Sequence, residues 1–346
     1  MKCFVHGYVG PGITIRNLLR TAGNLVQRTR LGYGMVIWQD FNMEPVRIRR
    51  TTVWDLFFDE GPNGIADGYV VEQLEEEGLS LTDRVQMGMI HGRWATSGDI
   101  DTFPDNNCHP YRIAYKGELL YYVHNGHLEN WASYYNDLAF ANLPPEAETD
   151  SATCGALLAR DILLNNENCI SASRNLIHTL ESTQSSGALL FVYDMEPERM
   201  YALRVDMPLV VIRSRLGCFL SSDVNVLKGL SDRKVEVYCV RSGALGWVDA
   251  DQQIQLMDSH GQYSFGHYGK MYLEKRKISR LEGLKSCRKT IDQGHQIEMW
   301  DKRTIAKWSL WNAENRCLSC ACEIREDIER QSNQSFELSN LCPIDL

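Results

Sequence analysis

The chain has no apolar run of the roughly 20 residues that a membrane-spanning helix needs. Its opening, Met-Lys-Cys-Phe, lacks the uninterrupted apolar stretch of a secretory signal. Positive charge is also in deficit: 36 Lys and Arg face 45 Asp and Glu, a net charge of −9, which argues against a nucleic-acid binder. The 11 cysteines follow no framework spacing, so a disulfide-stapled secreted scaffold is excluded and reduced thiols in the cytoplasm are expected. No internal repeat or low-complexity segment is present. What remains is a 346-residue chain, long enough for a sizeable core and an additional segment.

Within it stand several short motifs that carry chemistry. Cys3 heads a β-like run to Val9. As a first residue it would be a soft nucleophile with its own general base, an α-amine of pKa about 8, and would need no histidine. The HNG at 124 to 126 follows the apolar run Leu119 to Val123. The Asn125 side-chain amide and the Gly126 N–H are two donors suited to a tetrahedral oxyanion. An isolated Asn-Gly pair equally makes a type I′ hairpin turn. RWATSG at 93 to 98 contributes Arg93, whose guanidinium can clamp a carboxylate with two parallel hydrogen bonds. ETDS at 148 to 151 contributes Asp150, which can hold an ammonium, cap the helix that follows, or do both. Arg93 and Asp150 together describe an α-amino acid. NCHP at 107 to 110 reads as a structural turn.

In this order the motifs resemble the class II glutamine amidotransferase domain, an N-terminal-nucleophile hydrolase, and most closely the glutaminase domain of glucosamine-6-phosphate synthase. The resemblance runs from Cys3 to about residue 258. It includes CFVHGYVG at 3 to 10, RLGYG at 30 to 34, HNGHLEN at 124 to 130, and GALLFVYDMEPERMYALRVDMPLVV followed by FLSSDVNVL. The resemblance implies that Cys3 attacks the glutamine γ-amide and forms a γ-glutamyl thioester, with Asn125 and the Gly126 N–H as oxyanion hole. Arg93 and Thr96 would hold the α-carboxylate, Asp150 the α-ammonium, and Trp94 would form a pocket wall. It also implies a four-layer αββα sandwich, no cofactor, an ammonia-accepting partner enzyme, and homo-oligomerisation as in relatives.

The chain departs from the family pattern in two respects. Met1 and Lys2 precede Cys3, Phe4 stands where the family has glycine, and Ser97 where it has histidine. An acylated Cys3 nitrogen would lose its role as base, and Phe4 would crowd the backbone beside the nucleophile. Two other readings therefore stand beside the glutaminase: a hydrolase of another γ-glutamyl amide, and a fold kept as a binding or structural module without turnover.

Apolar runs of strand length occur at 3–9, 34–38, 86–91, 118–123, 188–193, 200–204, 208–212, 217–220 and 235–240, and helical patterns at 12–28, 128–139, 150–164 and 170–181. Runs of strands separated by helices point to an α/β fold of two sheets between helical layers. The expected division is an amidotransferase-like domain over 1–258 and an extension of mixed helix and loop over 259–346. The extension is basic over 268–308 and acidic towards its end, and it resembles no ammonia-accepting domain. Its CxxCxC cluster, Cys317, Cys320 and Cys322, is one zinc knuckle without a clear second, so free thiols are expected and no metal is assigned.

Overall fold

The first strand, β1 (Phe4–Thr14), is buried on both faces because its alternate residues feed two different interiors. Phe4 and Tyr8 enter one apolar cluster, and Val5 and Val9 another. The computed structural model describes residues 3–26, 29, 32–60, 66–93, 105–223, 226, 234–258 and 270–272.

After β1 come α1 (Ile15–Gly23), β2 (Tyr33–Trp38), β3 (Val46–Arg50), α2 (Trp54–Phe57), β4 (Asp59–Glu60), β5 (Ala66–Asp67), α3 (Tyr69–Glu76) and β6 (Arg84–Gly92). The middle of the chain gives β7 (Tyr111–Tyr115), β8 (Glu118–His127), α4 (Trp131–Phe140), α5 (Asp150–Ala159), α6 (Cys169–Ser182), β9 (Ser186–Tyr193) and β10 (Arg199–Val205). Then follow β11 (Val210–Ser214), β12 (Gly217–Ser221), β13 (Lys234–Cys239), β14 (Ala244–Asp249), β15 (Ile254–Asp258) and β16 (Lys270–Tyr272).

These strands form an eight-stranded sheet in the order β16-β13-β11-β12-β1-β6-β2-β3 and a six-stranded sheet in the order β15-β14-β10-β9-β8-β7, with β4 and β5 as a separate ribbon. Val5, Val9, Met87 and Met89 from the first sheet meet Tyr121, Val123, Leu190 and Met200 from the second in one shared core. On the outer face of the first sheet lie Ile15, Leu18 and Leu19 of α1 with Val70 and Leu74 of α3. On the outer face of the second lie Ala152, Ala156 and Leu157 of α5 with Leu176, Ile177 and Leu180 of α6. The four-layer αββα sandwich is thus present. Each fully buried leucine or phenylalanine in these layers contributes about 1.5–3 kcal/mol of apolar transfer energy.

Several elements differ from the sequence expectation. The helix expected over 12–28 begins only at Ile15, where Thr14 caps it by accepting from Asn17 N at 3.2 Å. Gly10, Pro11 and Gly12 belong to β1, which shifts register between Val9 and Ile13. The helix expected over 150–164 is α-helical to Ala159 and closes in a π-turn over Arg160–Leu164. β3, β7, β14 and β15 were not expected. β3 reads VRIRR, and its Arg47 and Arg49 both reach Glu146, at 2.8 and 2.9 Å, tying this edge to the segment before α5. β16 lies past the expected boundary at 258 and pairs with β13 in the eight-stranded sheet. Cys317, Cys320 and Cys322 fall outside the described residues.

Candidate active site

The sandwich brings the ends of β1, β6 and β8 together. Cys3 immediately precedes β1, and by strand alternation it continues the face of Val5 and Val9, towards the space between the sheets. Phe4 pairs with Gly92, so Cys3 and Arg93 are the next residues along their two strands. Phe4 does not crowd the nucleophile: it is fully buried on the other face, over Gly92. A Cβ at Gly92 would strike Phe4 Cε1 and lie 2.9 Å from Tyr33 Cε1, so the Phe4 ring occupies the space that glycine leaves open.

Asn125 and Gly126 are not a hairpin turn. They lie inside β8, paired with Ala188 and Gly187 of β9. Asn125 continues the inter-sheet face of Tyr121 and Val123 and is buried. Its Nδ2 stands 3.4 Å from Ser222 Oγ, and the same hydroxyl accepts from Val5 N at 2.9 Å. Ser222 N in turn donates to Val5 O at 3.0 Å. Ser222 therefore joins the strand behind Cys3 to the side chain of Asn125. Gly126 tolerates no side chain, since a Cβ would sit 2.6 Å from Gly187 Cα. N–H groups of an antiparallel strand alternate sides. That of His124 points off the β7 edge, towards His109 Nδ1 at 3.2 Å, so that of Gly126 points to the same side, beyond the end of β7.

The helix cap after ETDS is Thr149, not Asp150: its hydroxyl accepts from Ala152 N at 3.0 Å. Asp150 is the first helical residue, at the positive end of the helix dipole. Its Oδ2 stands 3.4 Å from both Leu128 N and His127 Nδ1. Arg93 N donates to Gly32 O at 2.9 Å and Arg93 Nη1 to Asn107 O at 3.0 Å. Asn107 O also accepts from the Tyr111 hydroxyl at 2.9 Å, and that hydroxyl meets Thr149 Oγ1 at 3.1 Å. A continuous hydrogen-bonded path thus runs from Arg93 to the residue before Asp150. Trp94 and Thr96 lie outside the described residues.

Three buried imidazoles surround this region, His91, His109 and His124. Burial lowers the pKa of His91 to about 3, assisted by the nearby Arg93 charge. Burial, with His91 and His124 alongside, puts His109 well below its ordinary value. For His124 burial prevails over the attraction of Asp150, and the value falls to about 4. All three rings are neutral near pH 7. Among the described residues no group of His, Cys, Asp and Glu could hold a metal ion. Sequence reasoning missed Ser222, His91, Tyr111 and Thr149, although Ser222 lies in the FLSSDVNVL stretch and Thr149 in ETDS.

No family model matches the chain. The glutamine–fructose-6-phosphate aminotransferase (isomerizing) of Corynebacterium diphtheriae is 31% identical over 183 residues, covering 50% of this chain and 28% of that protein. Its namesake in Aeropyrum pernix is 30% identical over 221 residues, covering 63% of this chain and 33% of that protein. The chain thus spans no more than about a third of the length of these relatives. Among solved structures, the glutamine phosphoribosylpyrophosphate amidotransferase of B. subtilis matches 82% of this chain and 52% of its own, with a TM-score of 0.55 and 14% identity. An allosteric regulatory enzyme of purine biosynthesis matches 74% of this chain and 49% of its own, with a TM-score of 0.57 and 15% identity. At such identities the structural likeness concerns the fold. The chain is similar in sequence to part of the glutamine–fructose-6-phosphate aminotransferases and shares the fold of the glutamine phosphoribosylpyrophosphate amidotransferase of B. subtilis.

Proposed function

We propose that this protein hydrolyses the γ-amide of glutamine through Cys3 and delivers the ammonia to a separate acceptor enzyme in the cytoplasm. The observation that carries the reading is the convergence of Cys3 and Asn125 on one end of the inter-sheet space, joined through Ser222 and Val5. The curated relatives are aminotransferases that use glutamine by name.

In this reading Met1 and Lys2 are removed, so that the α-amine of Cys3 is free to take the thiol proton. The thiolate attacks the γ-amide carbon, and the carbonyl π pair moves onto oxygen. Asn125 Nδ2 and the Gly126 N–H receive that oxyanion. When it collapses, the C–N bond breaks and the ammonium of Cys3 returns its proton to the leaving nitrogen, which departs as ammonia. Water then adds to the thioester by the same route, and the C–S bond breaks to release glutamate. Arg93, with Thr96, pairs with the substrate α-carboxylate, Asp150 with its α-ammonium, and Trp94 walls the pocket. The chemistry needs no cofactor.

Release of glutamate from glutamine by protein whose first residue is Cys3 tests the reading: turnover supports it, and binding without turnover overturns it.

A further inference from the structure

The strand that carries Asn125 and Gly126 loses its neighbour just where the oxyanion site begins. β7 starts at Tyr111, opposite Tyr122, and continuing that register would set His109 opposite His124. In an antiparallel strand the N–H and C=O of one residue point to the same side. Those of His124 point off this edge, and two imidazoles meet them. His124 N donates to His109 Nδ1 at 3.2 Å, and His124 O lies 3.0 Å from His91 Nε2. The two rings stack at 3.8 Å between centroids with 19° between their planes.

This arrangement fixes both tautomers. His109 Nδ1 accepts a backbone N–H and so carries no proton, whereas His91 Nε2 faces a carbonyl and must carry one. Burial holds both rings neutral, which keeps the pattern intact; a proton on His109 Nδ1 would set N–H against N–H. His91 belongs to β6, where it pairs with Val5 of the nucleophile strand. It therefore fixes β8 relative to β1 across the gap between the sheets.

We propose that the stacked His91–His109 pair is a positioning device, a side-chain substitute for the missing strand that sets the Asn125 amide and the Gly126 N–H at the height of the reacting carbonyl above Cys3. The proposal deepens the glutaminase reading and rests on it. Neither ring exchanges a proton with substrate; each acts through the backbone of His124.

The test uses isosteres. Asparagine places an amide oxygen where His109 has Nδ1, and glutamine places an amide N–H where His91 has Nε2. In protein beginning at Cys3, H109L and H91L lower kcat for glutamine about 10- to 100-fold, part of the cost of losing an oxyanion donor, while KM stays within about threefold. H109N and H91Q restore kcat, whereas the mismatched H109Q and H91N do not. The mismatched pair keeps the comparison informative if the leucine variants fail to fold. Amide hydrogen exchange at His124, read on the same proteins, does not depend on turnover: it accelerates in H109L and H109Q and is protected in H109N. Equal kcat in the matched and mismatched variants, or exchange at His124 indifferent to residue 109, overturns the proposal. If the unsubstituted protein releases no glutamate yet shows the exchange pattern, the clamp stands and the glutaminase reading fails.

Discussion

Asn125 Nδ2 reaches Ser222 Oγ at 3.4 Å, so the amide proposed to receive the oxyanion is held by the residue that follows β12 of the opposite sheet. Ser222 also binds Val5 through both its hydroxyl and its backbone N–H, which ties it to the strand behind the nucleophile. Asn125→Ala removes a donor and is expected to lower kcat about 10²–10³-fold. Ser222→Ala leaves the amide present but unaligned, and the expected loss is smaller, about tenfold, or about 1.4 kcal/mol in the barrier. Steady-state kinetics of glutamate release on the two single variants and the double variant check this. Because the residues act as one unit, the double variant should be no slower than Asn125→Ala alone.

Phe4 and Gly92 form a size-complementary pair. Gly92→Ala forces a methyl against the Phe4 and Tyr33 rings and is expected to cost about 1–3 kcal/mol. Phe4→Ala empties a fully buried site and costs about 3–5 kcal/mol. In the double variant the new methyl enters the space the ring has left, so the two costs should sum to more than the double variant loses. Chemical denaturation of the four proteins measures the coupling.

Acid is expected to destabilise the fold early. His6, His91, His109 and His124 are buried, and burial lowers their pKa: to about 3 for His6 and His91, to about 4 for His124, and well below the ordinary value for His109. Unfolded histidine titrates near pH 6.5, so below that pH the unfolded chain binds more protons and stability falls as pH falls. Above about pH 6.5 the four contribute no slope. By pH 5 His6, His91 and His124 each remove about 2 kcal/mol, a large share of the ~5–15 kcal/mol that holds a domain together, and His109 acts in the same direction. Tm followed from about pH 7.5 to 5 should fall steeply, and replacing His6 by glutamine should make the fall shallower.

In the proposed reaction Asp150 holds the substrate α-ammonium. Thr149 caps the helix, which leaves the Asp150 carboxylate beside Leu128 N and His127. Asp150→Asn removes the charge and keeps the shape. If the carboxylate pairs with the α-ammonium, KM for glutamine rises about 10- to 100-fold, in line with ~1.5–3 kcal/mol for a charge-assisted bond, and Tm changes little. A falling Tm with unchanged KM would assign Asp150 a structural role.

The central strands were legible because they are buried on both faces and read as continuous apolar runs, as with Leu119 to Val123. β3 was not, because its charged residues Arg47 and Arg49 are satisfied by Glu146, a partner 99 residues from Arg47. The start of α1 was misjudged because Gly10, Pro11 and Gly12 look like punctuation, whereas β1 absorbs them in a register shift. Cys3, Arg93, Asn125 and Asp150 could be proposed from the sequence because each carries its chemistry in a local motif. Ser222 and His91 could not, since their contribution is a contact across the sandwich, with partners 97 residues apart for Asn125 and Ser222 and 33 apart for His91 and His124.

The central claim, that Cys3 is the nucleophile, is tested most directly by trapping the acyl-enzyme. Protein beginning at Cys3 is mixed with glutamine, quenched in acid and digested, and the peptides are weighed. The account predicts a γ-glutamyl adduct on the peptide that starts at Cys3, its loss in Cys3→Ala, and its build-up only when Met1 and Lys2 are gone. Glutamate release that persists in Cys3→Ala, or an adduct on any other residue, would contradict it.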